Sequence, residues 1–266
     1  MFFLLCLFTA TVTTKQIKFS GVPHHRREAI GARLDMFNNQ FEKGGEYSVI
    51  DQFIRSGQTV FDVGANIGTW SYYVLRRNGN IKLYAFEPTP SIFEKLKENL
   101  KQWDLANLHK IALNSQDNIC AFFCYDHHIF NSLIYLPHRK QIAANKQGKI
   151  DIETRSLDSF CQEHNINTID FLKIDTEGAE LIVLLGAQKL LKTNRIKVIQ
   201  FEYNECSKMA NATLQDIYQL LTSSNYLIYR IERNRLVPIT QWNQALENYK
   251  YNNFLAIINN PTTSEL

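Results

Sequence analysis

Short apolar runs alternate with amphipathic segments through the middle of the chain, and this alternation restricts its fold more than any other feature. The runs at residues 59–63, 81–86, 169–174 and 196–202 are apolar on successive residues, as strands covered on both faces must be. Between them lie segments with apolar side chains at helical spacing, at residues 67–77, 90–101, 157–164 and 180–191. This order predicts a three-layer α/β/α fold around a mostly parallel sheet.

The remaining segments predict how the chain is divided. We expect a leading helix at residues 24–43, a second helix at 47–55, a third at 210–223, and strands at 108–113, 119–125, 151–155, 226–232 and 253–258. We also expect Ser156 to cap the helix that follows it. The 266 residues suffice for one large α/β domain. We therefore predict an N-terminal segment, residues 1–44, and a single domain, residues 45–260, with an insertion at about residues 119–150.

The first residues are almost wholly apolar, which bears on where the protein is found. Residues 1–10 are too few to span a bilayer as a helix. They also lack the basic start of a signal peptide. We expect a cytoplasmic protein; a signal-peptide core or a membrane anchor through residues 1–12 is the alternative.

Charge and cysteine content argue against several functional classes. Lys and Arg total 29 against 26 for Asp and Glu, a net charge of +3, so we expect no basic stripe and no nucleic-acid partner. The five cysteines include no Cys-x-x-Cys pair, which argues against a zinc site and a disulfide framework. We expect reduced thiols at Cys6, Cys120, Cys124, Cys161 and Cys206. Nothing in the sequence indicates an oligomeric state.

A glycine-rich turn follows the first strand of the predicted sheet, where ligands of such sheets bind. It contains Asp62, Gly64, Ala65, Asn66 and Gly68. The small residues let the backbone turn sharply and approach a ligand closely, and the next helix offers free N–H groups. The spacing is neither that of dinucleotide-binding loops nor that of a P-loop. A tight turn into a helix is the purely structural alternative.

Carboxylates follow two further strands. Glu87, with Pro88 after it, lies about twenty residues beyond the glycines, where similar folds bind ribose hydroxyls. Asp175 directly follows the run 169–174, so we expect its side chain to enter the ligand crevice; a helix cap is the alternative. Glu180 is better explained as an acidic residue at a helix start.

On these residues the sequence resembles the FkbM family of methyltransferases. The resemblance covers residues 45–259. It rests on VFDVGANIGTW at 60–70, AFEPTPSIFEKLKENL at 85–100, TRSLDSF at 154–160 and IDFLKIDTEGAELIVLLGA at 169–187. The last motif is the most distinctive, because Lys-Ile-Asp-x-Glu-Gly at a strand end is rare in other methyltransferases.

The resemblance implies a Rossmann-like class I methyltransferase fold, a seven-stranded sheet whose last strand is antiparallel. It implies S-adenosyl-L-methionine as methyl donor and a hydroxyl of a sugar, glycan or natural product as acceptor. It further implies that Glu87 holds the ribose and that Asp175 lies near the sulfonium and the acceptor. The methionine part would be held by Asp62, Gly64, Asn66 and Gly68; Ala65 and Pro88 complete the expected cofactor-binding set.

Methyl transfer to an alcohol benefits from a base that removes the hydroxyl proton. We expect Asp175 to be that base, with Glu177, Glu202 and a histidine as alternatives. His127 and His128 lie in the insertion, and we expect them in an exposed loop; the alternative is that the insertion covers the crevice and helps to select the acceptor. We expect no metal, since no ligand spacing indicates one, although Asp175 and Glu202 could meet at neighbouring strand ends and bind a divalent cation.

Three other functions share part of this pattern. A nicotinamide-dependent oxidoreductase has the same sheet and acidic residue but needs different glycine spacing. A nucleic-acid methyltransferase would carry more basic charge. A non-enzymatic protein that binds S-adenosyl-L-methionine would keep the fold without turnover.

Overall fold

The computed structural model describes residues 16–19, 44–137 and 148–259. The predicted leading helix at 24–43 and the apolar start at 1–12 lie outside these residues. Within the described part of the chain, no helix is both long and apolar enough to cross a bilayer.

The described residues form twelve strands and eight α-helices. The strands are β1 Ile17–Lys18, β2 Thr59–Val63, β3 Lys82–Phe86, β4 Ala106–His109, β5 Ala112–Asn114, β6 Asn118–Phe123, β7 Lys149–Ser156, β8 Ile169–Ile174, β9 Ile196–Tyr203, β10 Tyr226–Glu232, β11 Arg235–Ile239 and β12 Asn252–Ile258. The α-helices are α1 Glu46–Phe53, α2 Thr69–Asn78, α3 Pro90–Leu100, α4 Leu157–Glu163, α5 Glu180–Leu185, α6 Gln188–Lys192, α7 Glu205–Met209 and α8 Leu214–Ser223.

The central sheet has the strand order β1-β11-β10-β12-β9-β8-β2-β3-β4. Strands β4, β3, β2, β8 and β9 are parallel, while β12 is antiparallel to both β9 and β10. The seven strands from β4 to β10 therefore form the predicted sheet, with the last strand of the chain antiparallel. The described sheet has nine strands where seven were predicted, because β11 and β1 add two antiparallel strands beyond β10.

A second, three-stranded sheet has the order β5-β7-β6 and accounts for one wrong prediction. The run 108–113, predicted as one strand, is two strands in different sheets: β4 pairs with β3 and β5 pairs with β7. The chain leaves the central sheet after His109 and joins the small sheet at Ala112. Part of the predicted insertion thus forms regular structure, because nearly all of β6 and the first two residues of β7 fall within it.

The predicted helix at 180–191 is interrupted at Gly186 and Ala187. A Cβ atom on Gly186 would lie 2.0 Å from the backbone oxygen of Asn114, so this turn packs directly on β5. The carboxylate of Asp158 then accepts hydrogen bonds from the backbone nitrogens of Lys189 (2.9 Å) and Leu190 (3.0 Å) and starts α6. The predicted cap at Ser156 is confirmed, since its hydroxyl accepts from Ser159 N at 3.1 Å.

Apolar side chains from successive strand residues enter two separate cores, one on each face of the central sheet. On β2, Val60 packs into the core with α1, α2 and α3, whereas Phe61 packs into the core with α4, α5 and α8. Both side chains are fully buried. The continuous apolar runs of the sequence therefore correspond, as predicted, to strands covered on both faces.

Two adjacent leucines on α5 provide a test of this packing. Leu184 is fully buried in the core, whereas Leu185 is 39% exposed. Leu184→Ala should lower the free energy of unfolding by about 2–5 kcal/mol, because it removes buried methyl groups and leaves a cavity. Leu185→Ala should change it by less than about 1 kcal/mol. Urea unfolding measures both; equal losses would contradict the described burial.

Candidate active site

A cavity of about 520 Å³ opens at the carboxyl edge of the central sheet. Its wall is formed by the loops after β2, β3, β8 and β9, by residues 128–133 and by the segment before β12. A volume of this size is ordinary for a pocket that binds a small molecule. Six of the sequence-predicted site residues line it, namely Gly64, Ala65, Asn66, Glu87, Pro88 and Asp175.

The glycine turn after β2 lies against the loop after β8. Gly64 has a φ of 79°, and a Cβ atom on it would lie 1.8 Å from the backbone oxygen of Asp175. The backbone nitrogens of Gly64 and Ala65 donate to Phe86 O at 3.1 and 2.9 Å. Only glycine permits this approach of the two loops.

Gly68, by contrast, does not line the cavity. It has a φ of 87° and precedes α2, and a Cβ atom on it would lie 2.6 Å from a side-chain methyl of Leu96 on α3. The structure therefore gives Gly68 a packing role between α2 and α3, and its predicted contact with a cofactor stays a prediction.

Glu87 is held at the cavity wall by both of its carboxylate oxygens. Its Oε2 accepts a hydrogen bond from Asn66 N at 3.1 Å, and its Oε1 accepts one from Thr89 N at 2.8 Å. The residue is buried, and burial raises its pKa despite these bonds. A carboxylate has about four lone-pair sites, so two or so stay available to the hydroxyls of a ligand.

An ion pair centred on the buried side chain of Lys173 lies at the cavity wall. Lys173 Nζ is 2.9 Å from Asp175 Oδ2 and 3.7 Å from Asp62 Oδ1. Burial favours the neutral amine, but Asp175, Asp62 and Glu46 together raise the pKa of Lys173 above its usual value. Asp62 is fully buried, accepts from Ser71 Oγ at 2.6 Å and does not line the cavity. Its predicted contact with a cofactor also stays a prediction.

Two further carboxylates line the cavity beside Asp175. Burial, then Asp175 and Glu180, raise the pKa of Glu177 to about 8. Burial also raises the pKa of Glu202, and Asp175 adds to that rise. Asn204 Nδ2 donates to Glu177 Oε2 at 3.3 Å and to Glu202 Oε1. One amide group therefore bridges the two carboxylates.

Carboxylate oxygens of Asp175, Glu177 and Glu202 all lie within 4.8 Å of one another. Groups of oxygens of this kind bind divalent cations in many proteins. Here each carboxylate already has a protein partner, because Lys173 pairs with Asp175 while Asn204 donates to the other two. The expectation of a metal-free site stays a prediction.

Residues of the predicted insertion cover one side of the cavity. Asn66 Nδ2 donates to His128 O at 3.4 Å, and Asn131 Nδ2 donates to Thr89 Oγ1 at 3.1 Å. His128 is half-buried and lines the cavity, so its placement in an exposed loop was wrong. His127 is exposed, as predicted.

Glu46 was missed by the sequence analysis and is buried behind the cavity wall. Its carboxylate accepts from Gln200 Nε2 at 2.7 Å and from Asn253 Nδ2 at 3.2 Å. Asn253 Nδ2 also donates to the hydroxyl of Tyr251, which lines the cavity. Burial raises the pKa of Glu46 to about 7. No local signal in the sequence identifies Glu46. Asn204, which was also missed, could have been found, because it directly follows β9 and ligands of such sheets bind at the ends of strands.

Comparison with protein families identifies the chain. The Methyltransferase FkbM domain matches residues 62–228. The chain belongs to the FkbM methyltransferase family. This membership separates it from the nicotinamide-dependent oxidoreductases that share the sheet.

Individual relatives of this FkbM-family chain are distant in sequence. The 2-O-methyltransferase NoeI of Sinorhizobium fredii is 26% identical over 155 residues, which cover 55% of this chain and 63% of that protein. The hexuronic acid methyltransferase AglP of Haloferax volcanii is 25% identical over 190 residues, 68% of this chain and 69% of that protein. The chain spans only 57–63% of the length of NoeI and of two other methyltransferases.

A solved structure supports the fold of this FkbM-family chain. The methyltransferase FkbM of Methylobacillus flagellatus superimposes with a TM-score of 0.51 at 14% identity, over 77% of this chain and 44% of that one. At this identity the likeness concerns the fold alone.

The contact between Gly64 and Asp175 can be tested by substitution. Gly64→Ala should lower the free energy of unfolding by about 3 kcal/mol or more, since a left-handed φ costs a non-glycine residue about 1–2 kcal/mol and the overlap forces a backbone shift as well. Gly57→Ala is the matched control, because Gly57 has a φ of 85° but no atom within 4 Å of an added Cβ. Chemical unfolding measures both, and equal losses would argue against the close approach.

Proposed function

We propose that this chain is an S-adenosyl-L-methionine-dependent O-methyltransferase that acts on a hydroxyl of a sugar, glycan or natural product. The observation that carries the proposal is the position of Glu87 beside the glycine turn, at the wall of a cavity in a member of the FkbM family. The names of NoeI and AglP, a 2-O-methyltransferase and a hexuronic acid methyltransferase, support the acceptor class. The proposed methyltransferase domain is residues 45–260.

The residues of the cavity fit such a donor. Glu87 offers carboxylate oxygens to a ribose diol beside the turn of Gly64, Ala65 and Asn66. An apolar part of the wall, formed by Phe86, Ala112, Leu113, Phe122 and Leu133, suits a flat aromatic ring. The carboxylates of Asp175, Glu177 and Glu202 suit a ligand that carries positive charge on sulfur and nitrogen.

The donor supplies an activated methyl group, and the protein aligns the acceptor oxygen with it. We propose Asp175 as a catalytic residue that contacts the reacting groups, because it lines the cavity at the end of β8. Its ion pair with Lys173 fixes the carboxylate in place.

Calorimetry with the purified protein tests the donor. S-adenosyl-L-methionine should bind in the micromolar range, about −8 kcal/mol, and NAD should not bind. Glu87→Gln should weaken binding by about 10- to 100-fold, because charge-assisted hydrogen bonds contribute about 1.5–3 kcal/mol. The matched control is Glu94→Gln on the exposed side of α3, which should leave the affinity unchanged.

Release of S-adenosylhomocysteine then tests turnover, on a panel of neutral sugars, hexuronic acids and hydroxylated natural products. Turnover on one of these acceptors supports the proposal. Absence of donor binding by the folded wild-type protein would overturn it. Donor binding without turnover on any acceptor would favour the non-enzymatic alternative.

A further inference from the structure

The backbone around Glu177 is held in an unfavourable conformation by contacts on both sides. Glu177 has a φ of 52°, in the left-handed region that side chains other than glycine rarely adopt. Glu180 accepts hydrogen bonds from Thr176 N at 2.8 Å and from Gly178 N at 3.0 Å. Ser132 Oγ lies 3.0 Å from the backbone oxygens of both Thr176 and Glu177. Strained residues that persist in this way are concentrated at functional sites.

The neighbouring chain also fixes the loop. Gly178 has a φ of 103°, and a Cβ atom on it would lie 2.6 Å from the backbone oxygen of Cys206 at the start of α7. Cys206 Sγ donates to Glu177 Oε2 at 3.4 Å. The Glu177 carboxylate is therefore directed to one place in the cavity wall, beside Asn204 and Glu202.

Glu177 and Asp175 differ in the charge that faces them. Lys173 lies 2.9 Å from Asp175 and forms an ion pair with that carboxylate. Over residues 16–19, 44–137 and 148–259, no lysine, arginine or histidine forms an ion pair with Glu177 or Glu202. Their only hydrogen-bond donors in those ranges are uncharged: Asn204 to both, and Cys206 to Glu177. A carboxylate without a cationic partner binds a proton more readily than a paired one.

We propose that Glu177, supported by Glu202 through the bridging amide of Asn204, accepts the proton of the acceptor hydroxyl during methyl transfer. This inference rests on the proposed function and assigns the base within the same site. Of these two carboxylates, that of Glu177 contacts the acceptor, because Glu177 is less buried than Glu202 while both line the cavity. Asp175 then contacts the reacting groups while Lys173 holds its carboxylate in position.

The step balances in atoms and charge. The acceptor oxygen forms a bond to the methyl carbon, and the bond between that carbon and sulfur breaks with its electron pair left on sulfur. The O–H bond breaks, and its proton goes to the Glu177 carboxylate. A sulfonium and a carboxylate thus become a thioether and a carboxylic acid, both neutral, and the proton later passes to solvent.

The charged groups around Glu177 give the proton transfer a defined pH dependence. Asp175 and Glu180 on its own loop repel a second negative charge, and Glu202 faces it from β9. Burial is the largest effect, and the hydrogen bonds from Cys206 and Asn204 oppose it, so that the pKa lies at about 8. The base is charged above this pKa, which belongs to the protein without donor, so kcat/KM should rise as pH increases through about 8 and then level off.

A carboxyl titration tests the proposal without any acceptor. Protein labelled with ¹³C at the glutamate carboxyl carbon is titrated by NMR as wild type, Glu177→Gln, Glu202→Gln and the exposed control Glu98→Gln. We expect one carboxyl that titrates near pH 8, is lost in Glu177→Gln and moves to lower pH in Glu202→Gln, where a like charge is gone. The control should keep it. A wild-type protein in which this signal is absent, or is unaffected by Glu177→Gln, overturns the inference.

Kinetics with the best acceptor of the panel provide the second readout. Glu177→Gln should lower kcat by about 10²- to 10⁴-fold and flatten the rise near pH 8, as loss of a general base does. The calorimetric affinity for the donor should stay within about threefold of the wild-type value. Asp175→Asn should lower kcat but keep the rise with pH. If Glu177→Gln keeps the wild-type pH profile, the assignment of the base is overturned but the proposed function is not. If the wild-type protein does not bind the donor, the proposed function itself is overturned.

Discussion

The buried ammonium group of Lys173 is the contact on which the carboxyl edge of the sheet depends. It joins Asp175 at the end of β8 to Asp62 on β2, at 2.9 and 3.7 Å, and lies over the ring of Trp70 on α2. Without this cation, the fully buried Asp62 and the partly exposed Asp175 would lose their counter-charge, and for a carboxylate in the protein interior that loss costs several kcal/mol. The ion pair therefore keeps the loops after β2 and β8 together, and the backbone of Gly64 can rest against that of Asp175.

The single positive charge of Lys173 does not neutralise all the carboxylates around it. The carboxylates without a counter-charge have raised pKa values, and they include both structural and functional groups. Glu180 is buried and has its pKa raised to about 7, but it binds the backbone of its own loop and does not line the cavity. Glu177 and Glu202 have raised pKa values as well, and both do line it. A raised pKa alone would therefore not distinguish these residues. Access to the cavity does, and buried carboxylates without a counter-charge are typical of functional sites.

Much of the fold and part of the site could be predicted from strand ends. Continuous apolar runs identify the parallel strands, and the residues that follow them include Gly64, Glu87 and Asp175 on the cavity wall. Asp62 and Gly68 belong to the same motif, yet the structure directs one to a buried lysine and the other to α3. Tertiary contacts decide what each face of a strand packs against and where a side chain points after a turn. A sequence motif does not contain this information.

The least predictable part of the site comes from residues distant in sequence. Glu46 on α1 binds Gln200 and Asn253, which follow it by 154 and 207 residues, and Asn253 also binds the hydroxyl of Tyr251. No local pattern relates these positions, since their pairing exists only once α1 has packed over β9 and β12. Glu46, Tyr251 and Asn253 also lie outside the family match at residues 62–228. Family membership therefore informs on the side of the cavity formed by Gly64 and Glu87, whereas the wall at Tyr251 is formed by residues outside the match and has to be read from their tertiary contacts.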